Sequence, residues 1–328
     1  MISQIRNRDL IQIYAMMLKI RLFEEQLICS YPEQRIRTPV HLCIGQEAIA
    51  AGVCQNLLKE DYVFTNHRCH GHCLAKGMSM SSILAELYGK QTGCCKGKSG
   101  SMHLSDPDKG ILATSAIVSG NIPLAVGAAL SLKFRNKKNI SVVFFGDGAT
   151  DQGAFYESLN FSALKKLPVL FVCENNFYAT NSSQKARQPL DNIFKRAEIF
   201  GIKGFRCDGN DVVKIFDISK RLIKRLRENS QRGPFLLECR TYRWKGHVGP
   251  DCDFEKGWRP KCELDSWINK CPIKRFEDHF LKEGLLTKRK IEKIRHQIKE
   301  EIRKAELFAK ISRFPSIREL HKDVYWKE

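Results

Sequence analysis

Negative charge is what this 328-residue sequence has little of: 36 aspartates and glutamates stand against 55 lysines and arginines, for a formal charge of +19. Other absences are as informative. No stretch approaches ~18 uncharged apolar residues, which leaves no candidate for a membrane-spanning helix. No small-residue cleavage site follows the first apolar residues, so a signal peptide is not expected. The thirteen cysteines, an odd number spread from Cys29 to Cys271, contain no Cys-x-x-Cys pair. They read as reduced intracellular thiols rather than a disulfide frame, and a cytoplasmic location is the expectation. One cluster of soft ligands does occur, His67-Arg68-Cys69-His70-Gly71-His72-Cys73, with Cys94-Cys95 and His103 further on. Its spacing is not the paired spacing of structural zinc. Repeats, low-complexity tracts and long linkers are absent as well.

The positive excess invites a nucleic-acid reading. It sits largely in two helical segments, Lys220 to Arg232 and Lys288 to Lys304. The second carries Ile291, Ile294, Ile298, Ile302 and Ala305 on one face, so its charges form the solvated side of a packed helix. No recognition motif or basic-aromatic alternation accompanies them. Such a basic face could also dock an acidic protein surface.

What the chain has in plenty is the alternation of short apolar runs with helical segments, from about Thr38 to Arg243. That is the sign of an α/β fold with a parallel sheet. Buried strands are expected at Tyr62 to Thr65, Ser141 to Phe145, Val169 to Cys173 and Phe235 to Glu238. A helix is expected in the first segment, with Asp9 as its N-cap and Leu10, Ile13, Met17 and Ile20 at helical spacing. After a Gly/Pro-rich loop from Trp244 to about Pro260, the rest is helical, with Thr287 capping its longest helix. The expected organisation is an N-terminal helical segment (1–35), an α/β domain (36–260) and a C-terminal helical segment of the same domain (261–328).

The chemistry concentrates in Ser141-Val-Val-Phe-Phe-Gly-Asp147-Gly148, a helix, and then Val169-Leu-Phe-Val-Cys-Glu-Asn175-Asn176. Each half is a buried strand that delivers a polar residue at its C-terminal end. The helix between them, Gln152 to Lys165, places Ala154, Ser158 and Ser162 on one face for close packing. In such a βαβ unit the two loops lie side by side above one edge of the sheet, where open parallel sheets bind ligands. Asp147 and Asn176 are hard oxygen donors, the kind Mg²⁺ takes. One carboxylate and one amide leave the site short of negative charge, and a diphosphate would supply it. Gly146 and Gly148 let the backbone approach such a group.

These stretches resemble the alpha subunits of pyruvate, branched-chain 2-oxo acid and acetoin dehydrogenases, enzymes that use thiamine diphosphate. The resemblance covers about residues 10 to 310. It extends to His41-Leu-Cys-Ile-Gly-Gln-Glu47, Lys96-Gly-Lys-Ser-Gly-Ser-Met-His103 and Thr241-Tyr-Arg-Trp-Lys-Gly-His247. The stretch His70 to Lys90 looks most like the acetoin branch. What it implies is a thiamine-diphosphate-binding fold, with Mg²⁺ held by Asp147, Asn176 and the Tyr178 carbonyl. Gly148 and Ala149 would lie in the diphosphate turn. Arg68 and Arg243 would bind the diphosphate, and His67 stands where pyruvate-type enzymes often carry Tyr. Ala116 to Val118 would lie against the aminopyrimidine ring. His247 would help position and protonate the substrate, and His41 would lie near it. One of His70 and His72 would face the cofactor channel, and His103 would be a structural hydrogen-bonding residue.

The family's activating glutamate comes from a second domain, and 328 residues hold only one sheet domain. The resemblance therefore implies a beta subunit in an α2β2 heterotetramer. It also implies reductive acylation of a lipoyl group on an acyltransferase partner after a 2-oxo acid is decarboxylated or acetoin is cleaved. Two other readings stay open at this point: a split transketolase-like carboligase subunit that makes no use of lipoyl, and a non-catalytic paralogue. His247 is followed by Val248, Gly249 and Pro250, where mitochondrial relatives carry a Ser, so phosphorylation control at that point is not expected.

Overall fold

A computed structural model of the chain describes residues 5–36, 38–228 and 233–323. The fold follows from how the apolar runs are buried. The main sheet is formed by β1 (Tyr62–Asn66), β2 (Ile111–Ser115), β3 (Ser141–Gly146), β4 (Val169–Asn175), β7 (Lys203–Asp208) and β8 (Phe235–Arg240), all parallel, in the order β2-β1-β3-β4-β8-β7. A separate antiparallel hairpin, β5 (Tyr178–Ala179) and β6 (Ser182–Ser183), follows β4 directly.

Successive side chains of a strand face opposite sides, and the central strands use both. Val142, Phe144, Leu170 and Val172 enter one apolar cluster, whereas Val143, Phe145, Phe171 and Cys173 enter another. The first face is covered by α1 (Asn7–Ser30), α2 (Glu47–Cys54), α3 (His70–Lys76), α4 (Met80–Leu87) and later helices of the chain. The second face is covered by α5 (Asn121–Phe134) and α6 (Gly153–Leu164). Ser158 and Ser162 are buried on α6, which packs against α5 as the small-residue face predicts. Two one-turn helices, α7 (Gln184–Arg187) and α8 (Ile193–Arg196), precede β7, and α9 (Val212–Glu228) follows it. The chain closes with α10 (Lys261–Ile268), α11 (Pro272–Lys282) and α12 (Lys288–Ile311). Ile291, Ile298, Ile302 and Ala305 of α12 are buried against α1 and α4, so its lysines and arginines face outward. Thr287 caps α12, accepting from the Lys290 N–H at 3.2 Å. The first basic segment reaches α9, and its last residues, 229–232, lie outside the described residues.

Two expectations need correction. Asp9 is not the N-cap of α1: the helix starts one turn earlier in register, and Asp9 sits in its first turn, paired with Arg6 at 2.9 Å. A carboxylate there complements the helix dipole just as well. The expectation for Ile2 to Gln4 falls outside the described residues. Strands β2 and β7 have no counterpart among the four expected ones. They are the two edges of the sheet, are half-exposed, and lack the apolar run that marks a strand buried on both faces. All thirteen cysteines are free thiols.

Candidate active site

In this strand order β1 and β3 are neighbours, but the chain leaves them in opposite directions, β1 towards β2 and β3 towards β4. A crevice opens above the carboxyl ends where the order reverses. The structure has there a cavity of about 390 Å³. Its walls include all twelve sequence-predicted residues: His41, His67, Arg68, Ala116, Val118, Asp147, Gly148, Ala149, Asn176, Tyr178, Arg243 and His247.

Asp147 begins a short 3-10 turn (Asp147–Asp151) directly after β3 and is buried. Its Oδ2 is paired with the Arg187 guanidinium, while its Oδ1 is buried with no partner among the described residues. Burial raises the carboxyl's pKa, and the Arg187 charge opposes that rise. Asn176 follows β4. Its amide nitrogen donates to Gln46 Oε1 at 2.9 Å, and its oxygen accepts from the Tyr178 N–H at 3.3 Å. The Tyr178 hydroxyl points away, donating to Glu263 Oε2 at 2.8 Å on α10. Only the backbone of Tyr178 is left to serve the cavity. A Cβ on Gly146 would meet nothing within 4 Å, so a ligand can approach the β3 exit closely.

Arg68 follows β1 and is buried, donating to the carbonyls of Leu42 at 2.7 Å and His247 at 3.3 Å. Among the described residues it has no carboxylate partner, and burial lowers its pKa. Such an uncompensated guanidinium is costly unless an anion joins it. Arg243 differs. Its guanidinium pairs with Asp253 Oδ2 at 3.0 Å and donates to His247 Nδ1 at 3.2 Å. Burial pushes its pKa down to about 10.

His41, His67 and His247 form a triangle, with ring centroids 4.5, 5.0 and 5.2 Å apart. Burial first, and then the Arg68 charge, push them down to about 3, about 2 and about 4 respectively. All three rings are therefore neutral at pH 7. An arginine can only donate, so the contact from Arg243 makes His247 Nδ1 an acceptor and leaves the proton on Nε2. Gly45 brings the His41 segment in: at φ +97° it lies so close to the β8 exit that a Cβ would meet the Tyr242 carbonyl at 2.5 Å.

A scan against family models matches residues 14–318 to the dehydrogenase E1 component family. The chain belongs to that family. It is 40% identical over 313 residues to the alpha subunit of acetoin:2,6-dichlorophenolindophenol oxidoreductase of Bacillus subtilis, covering 95% of this chain and 92% of that one. The Cupriavidus necator protein of the same name is 38% identical over 320 residues, 97% of this chain and 95% of that one. The alpha subunit of the pyruvate dehydrogenase E1 component of Porphyra purpurea is 35% identical over 326 residues, 97% and 93% respectively. Membership carries thiamine diphosphate as the cofactor, and likeness to alpha subunits carries a beta-type partner chain.

The cavity's donors fit that E1 cofactor. The bare Asp147 Oδ1 and the uncompensated Arg68 line one cavity, the first suited to a hard cation and the second to a phosphate. Several sequence expectations for neighbouring residues do not hold. Neither His70 nor His72 lines the cavity. His70 is buried between Glu24 (3.2 Å) and Ser101 (2.9 Å), and His72 between Thr65 (2.8 Å) and Glu174 (3.0 Å). Both lie on α3, whose buried face is turned to the core. His103 is exposed, and Cys95 meets its carbonyl rather than its ring, at 3.7 Å. Of the soft ligands of 67–73, His67 lines the cavity, Cys69 and His70 both reach Ser101, and His72 reaches Glu174. Sequence reasoning missed Arg187, Glu174, Asp253 and Arg259. Arg259 pairs with Asp253 at 2.9 Å and donates to the carbonyls of Arg243 and Lys245, clasping the loop on both sides of its ion pair. Only Glu174 carried a signal, since it immediately precedes Asn175-Asn176 at the strand end.

No helix among the described residues is long and apolar enough to cross a membrane.

Proposed function

We propose that this chain is the alpha subunit of a 2-oxo acid or acetoin dehydrogenase, and that the cavity holds the Mg²⁺ and diphosphate of thiamine diphosphate. The observation that carries this reading is the buried Asp147 Oδ1, in the same cavity as the buried Arg68 guanidinium, the first with no partner and the second with no carboxylate among the described residues. Asp147, Asn176 and the Tyr178 carbonyl would ligate the metal, and Arg68 would neutralise the diphosphate, with Arg243 beside it. When bound, thiamine diphosphate supplies the electron sink needed to break the bond beside the substrate carbonyl. The chain's own contribution is orientation, charge and a proton. His247, neutral and protonated on Nε2, is an N–H donor suited to a substrate oxygen. His41, whose Nδ1 is buried without a partner, offers the cavity a second neutral imidazole. His67 would do the work of the tyrosine hydroxyl in pyruvate-type enzymes.

The site is incomplete in one chain. Ile117 and Val118, where the aminopyrimidine would lie, are 73% and 52% exposed. A beta subunit would cover this edge and supply the missing carboxylate, in an α2β2 tetramer. A lipoyl group on an acyltransferase is the expected acceptor. The substrate is expected to be pyruvate or acetoin, the substrates named for the relatives described above. A single methylene discriminates by only ~1–3 kcal/mol, so branched acids should leak through slowly. The test is co-expression with the beta chain and measurement of kcat/KM with a dye acceptor for pyruvate, acetoin and 3-methyl-2-oxobutanoate. Preference for the branched acid would refute the substrate assignment. Failure with all three would favour a carboligase instead.

A further inference from the structure

The residues after the β5–β6 hairpin, which no motif marked, join the two loops that present Asp147 and Asn176. From α7, Arg187 pairs through Nη2 with Asp147 Oδ2 and through Nη1 with Asp151 Oδ2, and its Nε donates to the Ser182 carbonyl at 3.3 Å. Gln188 donates to Thr150 Oγ1 at 3.0 Å and to Asp151 Oδ1 at 2.7 Å. Gln184 donates to Gln188 at 2.9 Å and accepts from Asn175 Nδ2 at 3.2 Å. A continuous run of hydrogen bonds therefore crosses from the β3 exit to the β4 exit through one helical turn.

The consequence for Asp147 is specific. A carboxylate can rotate, or chelate through both oxygens. Here the guanidinium occupies Oδ2, and Oδ1 is left buried and bare at the cavity. Mg²⁺ demands near-ideal octahedral geometry with short bonds, and a carboxylate held by one oxygen meets that demand. The Arg187 side chain is only 15% exposed and is shared with Asp151, so its pose is braced from both sides. We infer that Arg187 is a positioning residue for the metal: it holds Asp147 by Oδ2 so that Oδ1 alone faces the cation. This rests on the reading of Asp147 as a metal ligand. The opposite role, a placeholder cation that the metal must expel, predicts the opposite sign, since removing a competitor tightens metal binding.

The experiment uses the assembled alpha–beta complex with thiamine diphosphate and Mn²⁺, whose free concentration is read by electron paramagnetic resonance. Arg187→Ala should raise the Mn²⁺ dissociation constant by about 10–100-fold, the usual cost of losing a group that orients a metal ligand. Arg187→Lys should recover part of this, because an ammonium keeps the charge but cannot fork between two carboxylates. The metal concentration giving half-maximal activity should shift in the same order. Unchanged or tighter Mn²⁺ binding in Arg187→Ala overturns the inference. Should that variant fail to assemble, Arg187→Lys decides on the same criterion: weaker binding upholds the inference, and unchanged or tighter binding overturns it. Asp147→Ala separates the two levels of the argument. If it leaves Mn²⁺ binding intact, the ligand assignment itself fails. If it abolishes binding while Arg187→Ala does not weaken it, only the role of Arg187 falls.

Discussion

Asp147, Asn176 and Arg68 each present one polar group to the same cavity, and each makes a separate prediction. Asp147→Ala or Asn176→Ala in the assembled complex should lower Mg²⁺-dependent activity by more than about 100-fold, since even an orienting partner of a metal ligand is worth 10–100-fold. Thermal melting should show that the variants stay folded; full activity with Mg²⁺ retained would reject the assignment. Arg68→Ala should weaken thiamine diphosphate binding by about 1.5–3 kcal/mol, the worth of a charge-assisted hydrogen bond, measurable by calorimetry. His41 and His67 make a prediction about pH. An unfolded histidine takes up a proton below about pH 6.5, whereas these rings resist protonation until about pH 3 and about pH 2. Below pH 6.5 the unfolded state therefore binds more protons, so the stability associated with these neutral rings is full above that pH and falls as pH drops. In urea unfolding between pH 7 and 4, His67→Tyr should flatten this decline. An unchanged slope would mean that His67 titrates normally.

At the scale of elements, the strands buried on both faces and the long helices were the most legible, because each pattern lies within a dozen residues. The cap of α12 is a case: Thr287→Ala should destabilise the chain by about 1 kcal/mol, with the loss read from denaturant midpoints. The loop after β8 was legible only as a loop. Its composition shows why it is irregular, but the contacts that hold it, Gly249 N–H to the Val40 carbonyl at 2.8 Å and Arg259 across both arms, join residues far apart in sequence. Between His247 and Asp253 there is no hydroxyl-bearing side chain. Mass spectrometry of the protein purified from its own cells should find no phosphate there, and a regulatory phosphate in that loop would overturn the expectation. Strands β2 and β7 escaped notice because an edge strand buries only part of each residue and needs no apolar run.

For the whole molecule the deciding feature is an open side. Besides Ile117 and Val118, α5 exposes Leu124 (54%) and α6 exposes Phe161 (39%) and Leu164 (70%), on the side of the sheet that these two helices cover. Exposed apolar groups gathered on one face mark an interaction surface more often than a solvent face. The isolated chain should therefore bind thiamine diphosphate weakly and turn over no substrate. Mixing it with the beta chain should give a species of α2β2 mass by light scattering, with activity appearing in parallel. Turnover by the purified chain alone, at rates typical of the complex, would refute the two-chain site.

By itself the sequence determined the strand-end chemistry. Asp147 and Asn176 each sit directly behind a run of apolar residues that can only be a buried strand, and chain connectivity then carries the polar group to the carboxyl edge. Arg68 and His247 were legible through the resemblance to the family rather than through the strand pattern, in the stretches that follow β1 and β8. What only the tertiary structure decided are the partners. Arg187 reaches Asp147 across 40 residues of chain, and Asp253 and Arg259 anchor Arg243 from the far side of a loop. His70 and His72, which the motif placed beside Arg68, were turned into the core instead, where Glu24 and Glu174 await them. Short-range propensity orients a residue relative to its own strand or helix. Which side of that element faces the cavity depends on how the helices pack, and packing is set by the apolar surface of the whole chain.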